Sequence, residues 1–249
     1  MAGLMIVTGG GRGIGAATAL LAARNGYDVC VNYVRDAAAA ESVAAKVRAA
    51  GRRAITVQAD VGNESDIERL FRVTDAELGR ITVLVNNAAR VGDGRRRVES
   101  MRAPAVNALL AANVTGAIVC AREAVLRMST KHGGPGGAIV NVSSASSRIG
   151  APNLWVDYAA SKGAVDTFTI GLAQEVAAEG IRVNAVRPGL IDTDIHSATG
   201  MPDRVQKAEK MIPMKRAGTA QEVAEAIVWL ASPAASYISG AIIDVAGGR

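Results

Sequence analysis

Short apolar runs alternate along the whole chain with longer segments in which apolar residues recur at helical spacing. The runs predict seven strands, at residues 4–7, 28–33, 54–59, 81–85, 138–144, 181–186 and 241–245. Helices are predicted between them, first up to about residue 24 and then at 36–50, 63–78, 104–128, 158–178, 202–211 and 219–231. Such alternation is typical of a parallel, doubly wound sheet with helices on both faces. Because the pattern contains no internal repeat and no linker, we expect one α/β domain over residues 1–249, Rossmann-like in architecture.

Length and composition agree with that fold and narrow the class of protein. The chain has 249 residues, of which 49% are hydrophobic, enough for one large domain with a buried core. The first strand begins almost at Met1, and no apolar run approaches the ~18–20 residues of a membrane span. Cys30 and Cys120 are too few for a disulfide framework or a metal site. We therefore expect a cytoplasmic protein that holds no metal and binds no membrane.

The net charge of +5 does not indicate a nucleic-acid partner. The basic residues are scattered, and their one cluster, Arg95-Arg96-Arg97, lacks interleaved aromatic residues for base stacking. This cluster is expected to lie in a solvated loop, or in a loop that meets an anionic cofactor or substrate.

A glycine-rich turn joins the first strand to the first helix and reads Thr8-Gly9-Gly10-Gly11-Arg12-Gly13-Ile14-Gly15. Glycines let a backbone turn sharply and approach a ligand without a clashing Cβ, and a helix N-terminus offers free N–H groups to phosphate. A glycine turn directly between a first strand and a helix is a moderately specific sign of nucleotide binding.

The end of the second strand indicates which nicotinamide coenzyme such a turn would hold. NAD-binding domains usually carry an acidic residue about 20 positions beyond their glycines. Here that region contains Asn32, Tyr33 and Arg35, and Arg12 lies in the turn itself. Guanidinium groups bind a 2′-phosphate that a carboxylate would repel, so NADP(H) is favoured over NAD(H). The alternative is that Arg12 and Arg35 are ordinary surface charges.

Further polar residues follow the other strands. Asp60 and Val61 end the third strand, Asn86-Asn87-Ala88 end the fourth, and Ser144 ends the fifth. The carboxyl ends of parallel strands meet at one edge of a sheet, where ligands bind. Asn113 interrupts the apolar stripe of the helix at 104–128 and is either a structural knot in the core or a site residue.

Tyr158 and Lys162 lie four residues apart in a predicted helix, so their side chains project from the same face. A phenol normally titrates near ~10, but an ammonium about 4 Å away favours the phenolate by about 4 kcal/mol at an effective dielectric of roughly 20. Such a pair is able to exchange a proton with a substrate oxygen near neutral pH. The alternative is a tyrosine packed on the core beside a solvated lysine.

Taken in order, these residues resemble the short-chain dehydrogenase/reductase family over nearly the whole chain. The matching positions are Thr8-Gly9-x-x-x-Gly13-x-Gly15, Asp60, Asn86-Asn87-Ala88, Asn113, Ser144, Tyr158-x-x-x-Lys162 and Pro188-Gly189. The resemblance implies an NADP(H)-dependent oxidoreductase that interconverts a ketone and a secondary alcohol. It favours a site role for both Tyr158 and Asn113.

The resemblance also implies individual roles. Tyr158 would donate the proton in reduction and act as the base in oxidation, Lys162 would lower its pKa and hold the nicotinamide ribose, and Ser144 would hydrogen-bond the substrate carbonyl oxygen. Asn113 would hold a water that links Lys162 to solvent. The implied cofactor-binding residues are Gly9, Gly11, Arg12, Gly13, Ile14, Gly15, Asn32, Tyr33, Arg35, Asp60, Val61, Asn87, Ala88, Tyr158, Lys162, Pro188, Gly189, Ile191 and Thr193. Of these, Asn87 would stabilise the strand beside the nucleotide.

Two alternatives stay open beside these roles. The interval between serine and tyrosine is one residue longer than usual in the family, so Ser143 is an alternative to Ser144. A nucleotide-binding regulator that keeps the fold without the chemistry is the alternative function. An NAD-requiring epimerase or dehydratase fits less well, because such chains carry differently spaced glycines and a separate substrate domain.

The substrate is expected to be a small carbonyl or alcohol compound. Within the family the chain is similar to reductases of 3-oxoacyl thioesters and to glucose-type sugar dehydrogenases. Glu179 occupies a position where carrier-protein reductases tend to present a basic residue, although Lys131 and His132 could serve at another. Trp155 either lines the pocket or packs at the helix entrance.

The loop between Asp192 and Met211, with His196, is expected to be a mobile lid over the substrate. The alternative is a surface loop with an incidental histidine. The family also implies a homotetramer built on the helices at 104–128 and 157–178.

Overall fold

The computed structural model describes residues 3–92, 94–192 and 211–249. Its centre is a sheet of seven parallel strands in the order β3-β2-β1-β4-β5-β6-β9. The strands are β1 (Leu4–Val7), β2 (Asp28–Tyr33), β3 (Ala54–Gln58), β4 (Val83–Asn86), β5 (Gly137–Val142), β6 (Ile181–Pro188) and β9 (Ile242–Val245). A separate parallel pair consists of β7 (Ile191–Asp192) and β8 (Gly218–Thr219). The predicted doubly wound sheet is confirmed.

The sheet has its switch point between β1 and β4. Val7 at the end of β1 pairs with Val31 of β2 on one side and with Val85 of β4 on the other. The chain builds the sheet outwards from β1 to β3 and then returns to begin the other half at β4. The connections that leave β1 and β4 therefore diverge and open a crevice at the carboxyl ends of these strands.

The helices form one layer on each face of the sheet. They are α1 (Gly13–Arg24), α2 (Ala37–Ala49), α3 (Glu64–Glu77), α4 (Ala103–Leu110), α5 (Gly116–Met128), α6 (Ser146–Ile149), α7 (Val156–Val176) and α8 (Ala220–Ala231). Buried residues of α1, α2 and α8 share one core cluster, and those of α3, α5 and α7 share the other. Many of the contacting residues are alanines and valines, which let the helices approach the sheet closely.

The predicted helix at 104–128 consists of three pieces. A π-helical turn at Ala111–Thr115 separates α4 from α5. Such turns are rare and occur frequently at functional sites. Gly116 follows the turn directly, and a Cβ at this position would lie 2.2 Å from the Val61 carbonyl oxygen. The helix therefore packs on the backbone beyond β3 at a distance that only glycine allows.

The same helical segment corrects one expectation from the sequence. By length and composition, Ala103–Met128 is apolar enough to cross a membrane, with a mean hydropathy of 1.6 over its most apolar stretch. The prediction that no apolar run approaches the length of a membrane span is therefore wrong. One face of the segment, with Cys120 and Ala124, packs in the core, whereas Ile118 and Leu126 are 42% and 48% exposed. Core helices of folded domains meet the same length criterion, so this is weak evidence for a membrane span.

Smaller differences occur at element boundaries. The fourth strand begins at Val83 rather than at residue 81, and α6, β7 and β8 are additional short elements. Asn63 caps α3, because its side chain accepts a hydrogen bond from the Ser65 N–H group. The predicted helix at 202–211 falls almost wholly outside the described residues.

Candidate active site

Thr8 and Asn87 join the carboxyl ends of β1 and β4. The Thr8 hydroxyl oxygen accepts hydrogen bonds from the N–H groups of Asn87 and Ala88, both at 3.0 Å. The Asn87 side-chain amide donates to the carbonyl oxygens of Thr8 at 2.8 Å and of Gly9 at 3.1 Å. These bonds hold the start of the glycine turn against the end of β4.

Asn32 holds the glycine turn from its other side. Its side chain is fully buried, and its Oδ1 atom accepts a hydrogen bond from the Gly9 N–H group at 3.1 Å. Its amide donates to the carbonyl oxygens of Val57 at 3.3 Å and of Ala59 at 2.9 Å. One amide therefore links β2, the glycine turn and the end of β3. Because it lies behind the turn, direct contact of Asn32 with a coenzyme stays a prediction.

The glycine turn itself leaves its backbone open to a ligand. Gly9 and Gly13 adopt left-handed φ angles of 62° and 53°, which favour glycine. A Cβ at Gly15 would lie 2.4 Å from the Gly9 carbonyl oxygen and 2.6 Å from Asn87 Nδ2. Glycine at this position lets α1 start directly against the turn. No side chain caps α1, so its first N–H groups face outwards and fit a phosphate group.

Of the two arginines predicted to bind the 2′-phosphate, Arg12 lies in the glycine turn and Arg35 follows β2 by two residues. Arg12 and Arg35 are both exposed, and neither has an ion-pair partner among the described residues. Tyr33 is half-buried, and Gly11 and Ile14 lie beside Arg12 in the chain. Asp60 is half-buried, with its Oδ1 atom bonded to the Gly62 N–H group at 2.9 Å. These residues fit a nucleotide that carries an extra phosphate.

Tyr158 and Lys162 share one face of the first two turns of α7. The Lys162 Nζ atom lies 5.7 Å from the centroid of the Tyr158 ring. Lys162 is 3% exposed, so the alternative of a solvated lysine is excluded. The Trp155 ring meets Tyr158 edge-on, with 6.3 Å between the ring centroids. Trp155 is itself buried and packs at the entrance of α7.

The Lys162 ammonium is held at the carboxyl end of β5. Its Nζ atom donates to the Val142 carbonyl oxygen at 2.7 Å, which uses one of its three protons. Burial lowers the pKa of Lys162 to about 8, and the nearby Asp166 carboxylate opposes this shift. Asp166 is in turn paired with Arg187 at 2.9 Å. Lys162 is therefore still mainly protonated at neutral pH.

The two candidate serines have different surroundings. Ser143 is 2% exposed, and its hydroxyl donates to the Lys162 carbonyl oxygen at 3.2 Å. Ser144 is half-buried, and its Oγ atom accepts a hydrogen bond from the Ser146 N–H group at 3.1 Å. The Ser144 hydroxyl proton is thus left to donate elsewhere, as far as the described residues show. This arrangement favours Ser144 over Ser143 as the substrate-facing serine.

Asn113 lies in the π turn and is 2% exposed. It exchanges two hydrogen bonds with the backbone of Arg90, at 2.7 and 2.9 Å, and its amide also donates to Ser161 Oγ at 3.1 Å. Asn113 therefore ties the π turn to the segment after β4 and to α7 between Tyr158 and Lys162. Asn113 therefore has a structural role in the core, and the water implied for it stays a prediction.

The end of β6 completes the crevice. The Pro188 carbonyl oxygen accepts a hydrogen bond from the Ala145 N–H group at 2.9 Å, directly after Ser144. Gly189 packs against Ala246, where a Cβ would lie 2.8 Å from the Ala246 Cα atom. Ile191 is buried in β7. Thr193 and His196 lie outside the described residues.

Comparison with known proteins shows the family to which the chain belongs. The family model described as enoyl-(acyl carrier protein) reductase matches residues 9–249. The chain is 52% identical over 246 residues to the oxidoreductase YgfF of Escherichia coli strain K12, with 99% of both chains covered. It is 39% identical over 247 residues to a 3-oxoacyl-[acyl-carrier-protein] reductase of Synechocystis, with 98% of this chain and 95% of the other covered.

A solved structure agrees with the sequence relatives. The structure of a short-chain dehydrogenase from Burkholderia cenocepacia J2315 in complex with NADP matches with a TM-score of 0.88 and 31% identity, covering 98% of this chain and 96% of the other. The chain is a short-chain dehydrogenase/reductase. The predicted resemblance is thereby confirmed, and the chain is a member of a family of oxidoreductases.

This dehydrogenase/reductase contains a buried polar chain that the sequence analysis missed. The Asn86 amide donates to Asn141 Oδ1 at 3.0 Å, and the Asn141 amide donates to Thr169 Oγ1 at 2.9 Å. The three residues connect β4, β5 and α7. The available signal was Asn141, a polar residue inside the otherwise apolar run of β5.

The arginine cluster of the dehydrogenase/reductase also differs from its prediction. Arg97 has a 69% exposed side chain, as expected for a solvated loop. Arg96 is only 18% exposed and pairs with Asp157 at 2.7 Å, one residue before Tyr158. The expectation of a solvated loop is therefore wrong for Arg96. No local pattern could reveal this pair, because its members lie 61 positions apart.

Proposed function

We propose that this chain is an NADP(H)-dependent oxidoreductase that interconverts a ketone and a secondary alcohol, with Tyr158 as the acid and base. The observation that carries the proposal is the buried Lys162 ammonium, 5.7 Å from the Tyr158 ring centroid and bonded to the end of β5. A buried cation beside a phenol favours the phenolate, which suits a group that must both give and take a proton near neutral pH.

The residues around the crevice divide the work of ketone reduction. NADPH, when bound, supplies the hydride for the carbonyl carbon. Ser144 donates a hydrogen bond to the carbonyl oxygen and so stabilises the charge that develops there. Tyr158 gives its hydroxyl proton to the same oxygen, and Lys162 stabilises the phenolate that is left. In alcohol oxidation the Tyr158 phenolate takes the proton back.

The coenzyme would be held by the glycine turn and by the two exposed arginines. The N–H groups at the start of α1 would bind the diphosphate, and Arg12 and Arg35 would pair with the 2′-phosphate. Lys162 has two protons beyond its bond to Val142 and would hold the nicotinamide ribose. NAD(H) lacks the 2′-phosphate and would bind less tightly.

The activity is tested by NADPH oxidation with a panel of ketones and by Tyr158→Phe. We expect the substitution to lower kcat by roughly 10²–10⁴-fold, because the phenyl ring has no proton to donate. The dissociation constant for NADPH should stay nearly unchanged. Tyr237→Phe is the matched control, since Tyr237 is fully exposed on the surface. An unchanged kcat in Tyr158→Phe would remove this residue from the mechanism.

Two further outcomes of this assay contradict the proposal. If the native chain binds NADPH tightly but turns over no ketone or alcohol, the chain is a nucleotide-binding regulator. If it reduces only the carbon–carbon double bond of an enoyl thioester, the reaction named in the family model's description applies instead. Ser144→Ala is expected to lower kcat, whereas Ser143→Ala should mainly lower the melting temperature.

Among the candidate substrates, a 3-oxoacyl group attached to a carrier protein is less favoured than a small carbonyl compound. Lys131 forms an ion pair with Glu179 at 2.6 Å, and Glu179 also accepts a hydrogen bond from Ser129 at 2.5 Å. The Lys131 ammonium is thus already paired with a carboxylate, which weakens its attraction for an acidic carrier. We expect a 3-oxoacyl group to be reduced about equally well on a small thiol and on the carrier protein. Strong preference for the carrier would contradict this.

A further inference from the structure

The segment that follows β4 comprises the described residues 90–92 and 94–97. It is hydrogen-bonded to the π turn at one end and to the residues just before α7 at the other. Asn113 binds the backbone of Arg90 at one end of the segment. At its other end the Trp155 Nε1 atom donates to the Gly94 carbonyl oxygen at 2.7 Å, and the Arg96 N–H group donates to the Leu154 carbonyl oxygen at 3.1 Å. The described part of this segment therefore lies directly against the entrance of α7.

Arg96 adds the only charged contact to Asp157 that the described residues contain. Its Nη2 atom lies 2.7 Å from Asp157 Oδ2, and the two side chains are 18% and 5% exposed. The guanidinium rests on Gly92, where an added Cβ would lie 1.7 Å from Arg96 Nη2. The absence of a side chain at Gly92 thus creates the space in which the ion pair is seated.

The segment with Arg96 contacts two residues that adjoin Tyr158 at the start of α7, namely Asp157 and Trp155. The second oxygen of Asp157, Oδ1, accepts a hydrogen bond from the Tyr158 N–H group at 2.9 Å. The Trp155 ring, bonded to Gly94 in the same segment, packs edge-on against the Tyr158 ring. A shift of residues 94–97 would therefore move the backbone and the ring contact of Tyr158 together.

We propose that Arg96 is a positioning residue, which fixes Tyr158 through Asp157 and through the Trp155 contact. This inference rests on the proposed function, because it assigns Arg96 to the geometry of the same acid and base. Small misplacements of a reacting group cost a large part of the rate without altering coenzyme binding. Arg96 does not itself touch the reacting atoms.

Four variants test the proposal. Arg96→Met removes the positive charge, and Arg96→Lys keeps the charge but lacks the planar guanidinium group. Gly92→Ala leaves Arg96 intact but fills the space of its guanidinium; Gly92 has no positive φ, so alanine fits the backbone. Arg97→Met is the matched control, since Arg97 is the adjacent arginine with a 69% exposed side chain.

We expect Arg96→Met and Gly92→Ala each to lower kcat roughly 10–100-fold, with the NADPH dissociation constant within about twofold of the native value. Arg96→Lys should recover part of the rate, and Arg97→Met should behave like the native chain. The proposal is overturned if Arg96→Met keeps its kcat, or if Arg97→Met loses as much. It is also overturned if kcat and NADPH binding fall in parallel. Should Arg96→Met fail to fold, Gly92→Ala decides by the same criteria.

Trp155 fluorescence separates this inference from the proposed function. The chain has two tryptophans, so Trp229→Phe leaves Trp155 as the single reporter. Loss of its bond to Gly94 should shift its emission to longer wavelength in Arg96→Met and in Gly92→Ala. If the native chain turns over no substrate, the proposed function fails, and the emission then decides: unchanged emission in both variants overturns the role of Arg96.

Discussion

In the proposed mechanism Lys162 combines a catalytic role with a cost in stability. The buried ammonium has a pKa lowered to about 8 by desolvation, whereas in the unfolded chain its pKa is near ~10.4. At neutral pH the folded state therefore holds a charge that water would solvate better. Between these two values the unfolded state binds more protons than the folded state, so the contribution of Lys162 to stability improves as the pH rises.

This linkage predicts a pH dependence that Lys162→Met should lack. From pH 7 to pH 9.5 the free energy of unfolding of the native chain is expected to rise by about 2 kcal/mol relative to the variant. Denaturant unfolding at several pH values measures the difference. Parallel pH profiles for the two proteins would mean that the ammonium is not desolvated.

Arg12 and Arg35 are the residues on which coenzyme preference is expected to depend. Hydrogen bonds to charged groups contribute about 1.5–3 kcal/mol, so loss of one arginine should weaken NADPH binding roughly tenfold or more. We expect Arg12→Gln and Arg35→Gln to raise the KM for NADPH and to leave the KM for NADH nearly unchanged. Arg24→Gln, an exposed residue at the far end of α1, is the control. Equal losses with both coenzymes would contradict a role in phosphate recognition.

At the scale of elements, the five inner strands β2, β1, β4, β5 and β6 were predictable because each is a short apolar run buried by helices on both faces. Val29-Cys30-Val31 in β2 and Ile139-Val140 in β5 need no other signal. The tyrosine and lysine of the site were predictable because their spacing within one helix sets their geometry. The π turn around Asn113 and the packing of Arg96 on Gly92 could not be predicted. Neither is associated with a local sequence pattern.

Gly116 allows a test of how tightly α5 is packed at the π turn. A Cβ there would meet the Val61 carbonyl oxygen at 2.2 Å, so Gly116→Ala should destabilise the fold by about 1–3 kcal/mol. Gly171 in α7 is the matched helical control, because its Cβ would meet nothing within 4 Å. Gly171→Ala should be neutral or stabilise by up to about 1 kcal/mol. Thermal unfolding distinguishes the pair, and a similar response of both would contradict close packing at Gly116.

For the whole molecule, the outer face of the segment α4–α5 is expected to be covered in a homotetramer. Ile118 and Leu126 lie two turns apart on this face and are 42% and 48% exposed. A double Ile118→Glu, Leu126→Glu variant should dissociate into smaller species in light scattering, because buried carboxylates would repel across the interface. Val98→Glu, at an equally apolar exposed position elsewhere, should not. A monomeric native chain would overturn the expectation.

The pairing of β6 with β9 has a consequence for how the protein is made. The Ala145 N–H group, directly after Ser144, donates to the carbonyl oxygen of Pro188 in β6. The Gly189 N–H group donates to the carbonyl oxygen of Val245 in β9 at 3.0 Å. Since β9 follows the other strands in the described chain, the half of the sheet built on β1–β3 can form well before the half that begins at β4. Until then β6 presents an unpaired edge with which other nascent chains can pair. A polypeptide stalled before residue 242 would therefore contain the predicted coenzyme residues of β1–β4 while one edge of β6 is still unpaired.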